Sequence, residues 1–171
     1  RHYHANMASL IQIGNWLDFL KENDVYDNTK IIIVADHGYT LFQSDELRFT
    51  DSEFSKTCSV EGFFPLLMVK DFNSTEFTTS TEFMTNADTP TLAFKGLIDN
   101  PINPFTNKPI NSDEKTAHRQ YMIISDKWQT NINNGQTFLP AQWCSVEKDM
   151  WNKENWEFYD ETTVLKEHSA P

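Results

Sequence analysis

The chain is short of long hydrophobic runs, of positive charge and of cysteine, and each shortage excludes something. No segment approaches the roughly 18 consecutive apolar residues of a membrane-spanning helix. Only 14 Lys and Arg stand against 25 Asp and Glu, and the net charge of −11 argues against nucleic acid as a partner, because its phosphates would be repelled. The two cysteines, Cys58 and Cys144, form no motif, so their redox state stays open.

What the chain does contain favours a packed domain. Hydrophobic residues make up 39% of the 171 positions and aromatic residues 13%, a composition typical of a folded protein rather than a disordered one. This length is enough for one hydrophobic core but not for two comfortable domains.

The most informative stretch runs from a predicted strand into an acid, an imidazole and a glycine. Residues 31–35 are five consecutive apolar residues, four of them β-branched, which predicts a strand covered on both faces in an α/β sheet. Asp36 and His37 follow at the strand end, where ligand sites gather in such sheets, and both are good ligands for a divalent metal. Gly38 then lets the chain turn away without a Cβ clash. The alternative is an ordinary strand-to-loop exit, where Asp and Gly are common.

Helical patterns flank this strand on either side. Residues 3–22 carry apolar positions at nearly helical spacing, which predicts a helix with one buried face: Met7, Leu10, Ile11, Gly14, Leu17 and Leu20. Further on, Asp88 or Thr89 can cap a second helix, Pro90 suits its first turn, and Leu92 and Leu97 would lie on its inward side.

The order of these segments resembles the C-terminal half of the sulfatase and alkaline phosphatase superfamily. In that family a helix and the phrase L-x-x-x-x-x-Y-D-N-T lead into a strand ending in Asp-His-Gly, and Leu20 with residues 26–29 fills the phrase here. Three later segments are similar to the family's next strand, to its D-x-x-P-T-L-x-x-x-x-G helix and to its closing aromatic-Tyr-Asp phrase: 63–69, 86–97 and 156–160. Leu10 departs from the Asp that many sulfatases carry four residues before the glycine of the first helix.

The resemblance implies a fold and a cofactor. The fold would be the C-terminal part of an alkaline-phosphatase-like α/β sandwich, with buried central strands flanked by helices and a small terminal antiparallel sheet. Residues 1–110 would belong to the core and residues 111–171 to a β-rich subdomain. Asp36 and His37 would bind a divalent metal. Zinc or manganese suits a carboxylate with an imidazole, and calcium is the alternative.

The resemblance also implies that part of the site lies elsewhere. Family nucleophiles and further metal ligands come from the N-terminal half, and the chain contains no Cys-x-Pro-x-Arg motif. We therefore expect a C-terminal fragment, without a catalytic residue of its own, of a longer enzyme acting on sulfate or phosphate esters. The parent is expected to be extracytoplasmic, with membrane association only through the missing N-terminal part.

Weaker candidates for substrate binding lie outside the Asp-His-Gly turn. His118 or Arg119 could hold a sulfate or phosphate oxygen, or the two could simply cap the strand that follows. His4 stands near the position of a substrate-side histidine in some family members. The loop at 39–62 is either a substrate-facing wall or a surface excursion. Asn73-Ser74-Thr75 matches a glycosylation acceptor, a short pattern that also arises by chance.

Two classes of function stay open from the sequence. The first is the metal-binding half of a sulfatase-like hydrolase or of a membrane phospho-headgroup transferase. The second is a non-catalytic binding or scaffold domain that keeps the fold without the chemistry.

Overall fold

A computed structural model describes residues 2–41, 43–51, 56–124 and 142–159 of the chain. These residues combine helices with small antiparallel sheets, which confirms the prediction of mixed α and β structure at that level. The helices are α1 (His2–Glu22), α2 (Thr89–Phe94) and α3 (Ser112–Ala117). The strands are β1 (Ile31–Val34), β2 (Arg48–Asp51), β3 (Lys56–Ser59), β4 (Leu67–Lys70), β5 (Gln120–Ile124), β6 (Gln142–Val146) and β7 (Trp156–Tyr159).

The strands form three separate antiparallel sheets. β1 pairs with β4 in the register Ile31↔Lys70 to Val34↔Leu67. β2 pairs with β3 in a hairpin, and β5, β6 and β7 form a three-stranded sheet in that order. Short 3-10 turns at 45–47, 60–63, 86–88 and 153–155 connect these elements.

The hydrophobic core lies between the β2–β3 hairpin and the three-stranded sheet. Its buried members come from distant parts of the chain: Leu47, Val60, Phe83, Cys144, Val146 and Trp156. The rings of Phe49, Phe63 and Phe64 pack around Trp156 at centroid distances of 6.2 to 6.3 Å. Residues from both sides of position 110 therefore share one core. Trp156, from the aromatic-Tyr-Asp phrase, lies at the centre of these ring contacts.

The predicted first helix is present, but the burial of its apolar face is not. Leu20 is buried, whereas Leu10 and Ile11 are 50% and 57% exposed and Met7 is also exposed. Helical spacing indicates which side of a helix is apolar, but not whether that side is buried. In the described residues, most of the apolar side of α1 is uncovered.

The prediction of a strand covered on both faces is also wrong for the described part of the chain. β1 ends at Val34, which is 42% exposed, and it has partly covered residues at Ile32 and Ile33. Its described partner, β4, runs antiparallel and exposes Met68 and Val69. A run of apolar residues specifies two apolar faces, and in β1 those faces are only partly covered.

The second predicted helix is shorter than expected. α2 ends at Phe94, because the following Lys95 leaves the helical conformation and Gly96 adopts a φ of 83°. Leu97 is exposed beyond the helix end instead of facing inward. The backbone at Gly96 lies in the left-handed region that glycine tolerates best. It therefore ends the helix before Leu97, although the apolar spacing predicts that the helix continues.

Two lysines hold the segments around β1 in place. The ammonium of Lys70 contacts the carbonyl oxygens of Tyr26 and Thr29 and lies 4.3 Å from the centre of the Tyr26 ring. Lys30 donates to the carbonyl oxygens of Leu92 and Lys95 at the end of α2, where a cation complements the helix dipole. The Tyr-Asp-Asn-Thr phrase therefore has a structural role, since its carbonyls bind the lysine that ends β4.

A buried ion pair joins α2 to α3. Asp88 is 1% exposed, and its carboxylate accepts hydrogen bonds from Lys115 Nζ at 2.7 Å, Asn103 Nδ2 at 2.9 Å and the Thr85 backbone N–H at 2.8 Å. Burial alone would raise the pKa of Asp88, but these bonds outweigh it and lower the pKa below its ordinary value. The ionised carboxylate is therefore the form that fits the fold.

We expect Asp88→Asn to lower the free energy of unfolding by about 2–4 kcal/mol at pH 7, because it leaves the partly buried Lys115 ammonium without its counter-charge. Since the pKa of Asp88 is lower in the folded state, its contribution is present above the unfolded value of about 3.9 and is lost as the pH falls through the folded pKa. Urea unfolding at pH 7 and near pH 3 measures both effects. Asp99→Asn, at an exposed position, is the control, and an equal small loss in both variants would contradict the role of Asp88.

Candidate metal site

The candidate site begins where the β1–β4 pairing ends. The Ala35 N–H donates to the Leu66 carbonyl at 2.9 Å, one residue beyond the end of β1, and Asp36, His37 and Gly38 follow. The sequence predicted this position, at the carboxyl end of the strand.

Gly38 packs directly against the backbone of the 3-10 turn at residues 60–63. Its N–H donates to the Gly62 carbonyl at 2.8 Å. A Cβ at position 38 would lie 2.2 Å from the Glu61 carbonyl oxygen and 2.9 Å from that of Phe64. Position 38 therefore excludes a side chain because other backbone atoms approach it closely. A left-handed φ is not the reason, since Gly96 alone among the glycines of the described ranges has a positive φ.

The side chain of Asn86, from the 3-10 turn that precedes α2, holds the other side of the Asp-His-Gly turn. Asn86 Nδ2 donates to the carbonyl oxygens of Ala35 at 3.2 Å and Asp36 at 2.6 Å. Asn86 is itself fixed at the start of a 3-10 turn, where Thr85 and Asp88 form a reciprocal capping box. Sequence reasoning missed Asn86, because no local spacing connects positions 86 and 36.

The Asp36 and His37 side chains lie next to each other in solvent. His37 Nδ1 lies 2.6 Å from the Gly38 carbonyl oxygen. A carbonyl can only accept, so in the neutral ring Nδ1 carries the proton and Nε2 carries the lone pair. Asp36 Oδ1 accepts from the His37 backbone N–H at 3.0 Å, and Asp36 Oδ2 faces His37 Nε2 at 3.8 Å.

These two atoms suit a divalent metal in chemistry and nearly in distance. Neighbouring ligands of a tetrahedral zinc ion lie roughly 3.4 Å apart, so a small rotation of either side chain brings 3.8 Å into range. The hydrogen bond from Nδ1 to a carbonyl is the outer-shell contact that orients metal-binding histidines. The Asp36 and His37 side chains are 89% and 70% exposed, so both are open to a ligand.

Asp36 and His37 offer at most two protein ligands to a metal ion. Within the described ranges, no three His, Cys, Asp or Glu side chains gather closely enough to hold a metal ion together. Metal binding at Asp36 and His37 therefore stays a prediction.

The loop that follows the turn is organised by one carboxylate. Glu61 accepts backbone N–H bonds from Leu41 at 2.7 Å and from Gln43 and Ser44 at 2.8 Å each. This places a defined loop beside the Asp-His-Gly turn, because Glu61 also belongs to the 3-10 turn that contacts Gly38. Whether the loop faces a substrate stays a prediction. Glu61 had no sequence signal, since its partners lie 17 to 20 positions away.

Arg119 lies among acidic and phenolic side chains of the three-stranded sheet. Its Nη1 contacts Glu157 and Tyr159, and its Nη2 lies 3.7 Å from a Glu147 oxygen. Partial burial lowers the pKa of Arg119, but the interactions with Tyr159 and Glu147 outweigh it and raise the pKa above the ordinary value. These contacts support the strand-capping alternative, and the substrate-binding role stays a prediction.

The two remaining histidine candidates are exposed. His118 follows the last residue of α3, and its carbonyl accepts from Gln120 Nε2 at 3.1 Å. His4 lies on α1 with its ring edge-on to Tyr3 at 5.6 Å. The contacts that fix the Asp-His-Gly turn come from other residues, namely Asn86 and the 3-10 turn at 60–63.

Comparison with known proteins gave no match: neither a model of a protein family, nor a curated protein, nor a solved structure is similar to this chain. None of the helices in the described ranges has both the length and the hydropathy needed to cross a lipid bilayer.

We expect Gly38→Ala and Gly14→Ala to change stability in opposite directions. At position 38 the added methyl meets two backbone carbonyls, so the turn must shift and the free energy of unfolding should fall by about 1–3 kcal/mol. At position 14, inside α1, nothing lies within 4 Å of the new Cβ, and alanine should stabilise the helix by about 0.5–1 kcal/mol. Chemical unfolding of both variants measures the difference. Equal effects would show that position 38 is not sterically closed.

Proposed function

We propose that this chain is the metal-binding C-terminal half of a sulfatase- or alkaline-phosphatase-like enzyme that acts on sulfate or phosphate esters. One observation carries the proposal: an Asp-His-Gly turn at a strand end, with Asp36 Oδ2 lying 3.8 Å from His37 Nε2, the ring nitrogen that carries the lone pair.

The way the turn is held supports a binding role over an ordinary loop exit. An exposed surface turn needs no fixed side-chain geometry, yet this one is tethered by Asn86 and packed against the backbone of Glu61 and Phe64. Preorganised ligands lose little freedom when they bind a metal, which raises affinity.

Asp36 and His37 would hold the ion as a carboxylate and a neutral imidazole, a set suited to zinc or manganese, with calcium as the alternative. Bound there with further ligands, the metal would supply Lewis-acid stabilisation of charge on a transferred sulfuryl or phosphoryl group. Within this chain, Gly38 fixes the imidazole tautomer and Asn86 fixes the backbone that carries the carboxylate. A nucleophile would come from the rest of the enzyme.

Exposed apolar side chains support the existence of a further protein part. Leu10 and Ile11 on α1 and Met68 and Val69 on β4 are each more than two-fifths exposed. Exposed apolar side chains of this kind are available to pack against other protein. An extracytoplasmic, membrane-anchored parent remains part of the proposal.

A non-catalytic scaffold domain is the second candidate function. The observation in its favour is that the described residues bring only two metal-ligating side chains together at the turn. In this case the chain would retain weak metal or anion binding, and no turnover would accompany it.

In the longer enzyme we expect Asp36→Ala to reduce turnover of an aryl sulfate or aryl phosphate ester at least about a thousandfold, because a metal ligand is lost. The melting temperature should hardly change, since the Asp36 side chain is 89% exposed. Asp18→Ala, at an exposed helical carboxylate, is the matched control and should leave turnover intact. Normal turnover in Asp36→Ala would refute the metal assignment, and no turnover in the wild type would favour the scaffold.

For the 171-residue chain itself we expect weak binding of zinc or manganese, because two protein ligands leave most of the coordination shell to water. Calorimetric titration of His37→Gln should show loss of that binding, whereas His118→Gln should retain it. If both variants bind zinc equally, the ion is held elsewhere and the assignment of His37 is wrong.

A further inference from the structure

The residues after β4 form a tight turn whose tip is an asparagine. The Ser74 N–H donates to the Asp71 carbonyl at 3.3 Å, and the Asp71 N–H donates to Ser74 Oγ at 3.1 Å. Asn73 lies at the tip with a φ of 54°, in the left-handed region that Asn tolerates better than most residues. Its backbone N–H donates to the Asp27 carbonyl at 2.9 Å, which fixes the tip against the rest of the chain.

The Asn73 side chain is presented to solvent on a fixed backbone. Both Asn73 and Thr75 are exposed. Among the described residues, the hydrogen bonds at this turn involve the backbone of Asn73 and not its side-chain amide. The side-chain amide of Asn73 is therefore accessible on an ordered turn.

Asn73-Ser74-Thr75 is also the single Asn-x-Ser/Thr pattern in the whole sequence, and its middle residue is not proline. Two other asparagines at turn positions with positive φ, Asn100 and Asn107, lack a hydroxyl residue two positions later. The pattern and the exposed turn therefore coincide at one place, where the acceptor pattern requires a surface loop.

The turn lies at the opposite end of the β1–β4 pair from the candidate metal site. Lys70, which precedes the turn, pairs with Ile31 at the start of β1, whereas Asp36 follows the end of β1. A strand of this length separates the two ends by roughly 13 Å. A bulky group on Asn73 would therefore leave the space in front of Asp36 and His37 open.

We propose that Asn73 is an acceptor for N-linked oligosaccharide. In the transfer, Asn73 Nδ2 forms a bond to the anomeric carbon of an oligosaccharide carried on a lipid diphosphate. The bond from that carbon to the phosphate oxygen breaks, the lipid diphosphate leaves, and the amide proton passes to a base. The occurrence of this step in the cell depends on the extracytoplasmic passage that belongs to the proposed function, whereas the acceptor property of the turn does not.

The test is expression of the chain behind a cleavable signal peptide in cultured eukaryotic cells, followed by treatment of the secreted protein with peptide N-glycosidase. We expect a shift in electrophoretic mobility that the enzyme removes, and conversion of Asn73 to Asp in the peptide mass spectrum. Asn73→Gln and Thr75→Ala should abolish the shift. Thr75→Ser, which keeps the hydroxyl, and Asn100→Gln, at another positive-φ turn, should retain it.

Secreted wild-type protein without a removable glycan would overturn the proposal, and so would a glycan that persists in Asn73→Gln. Because the fused signal peptide supplies the compartment, the result does not depend on metal binding or turnover. A protein that is glycosylated but inactive would therefore contradict the proposed function and still confirm the acceptor site.

Discussion

The backbone at Gly38 lies so close to the carbonyl oxygens of Glu61 and Phe64 that only a hydrogen atom fits between them. This contact sets the direction in which the chain leaves β1, and it links the strand end to the 3-10 turn at residues 60–63. The same turn places Val60 in the hydrophobic core and Glu61 beside the backbone N–H groups of Leu41, Gln43 and Ser44. One steric constraint thereby fixes the positions of Asp36 and His37 relative to the core.

Charge supplies the second level of organisation. Lys30 and Lys70 bind backbone carbonyls on either side of the β1–β4 pair, and the Asp88–Lys115 ion pair joins the two later helices. Each of these groups has several hydrogen-bond partners, which offsets the cost of removing a charge from water. Asn86 connects this framework to the site, because it begins the 3-10 turn that contains Asp88 and binds the carbonyl of Asp36. Stability of the fold and geometry of the site therefore depend on shared residues.

Local pattern predicted several of the elements and identified Asp36 and His37 as candidates at the end of a strand. The helix at 2–22 and the strand before Asp36 follow from apolar spacing and β-branched content, whereas the antiparallel strands near the C-terminus were expected from the family resemblance. Burial could not be predicted, because an apolar stripe such as that of Leu10 in α1 does not say whether anything covers it. Asn86 and Glu61 were also beyond reach, since their partners lie far along the chain and are selected by tertiary contacts.

The central claim is that Asp36 and His37 bind one divalent metal ion. Anomalous X-ray diffraction from crystals of the protein grown with zinc or manganese, recorded on both sides of the metal's absorption edge, tests it most directly. The account predicts an anomalous peak about 2.0–2.2 Å from both Asp36 Oδ2 and His37 Nε2, with His37 Nδ1 still bonded to the Gly38 carbonyl. A peak at other residues, with Asp36 and His37 left in solvent, would contradict it.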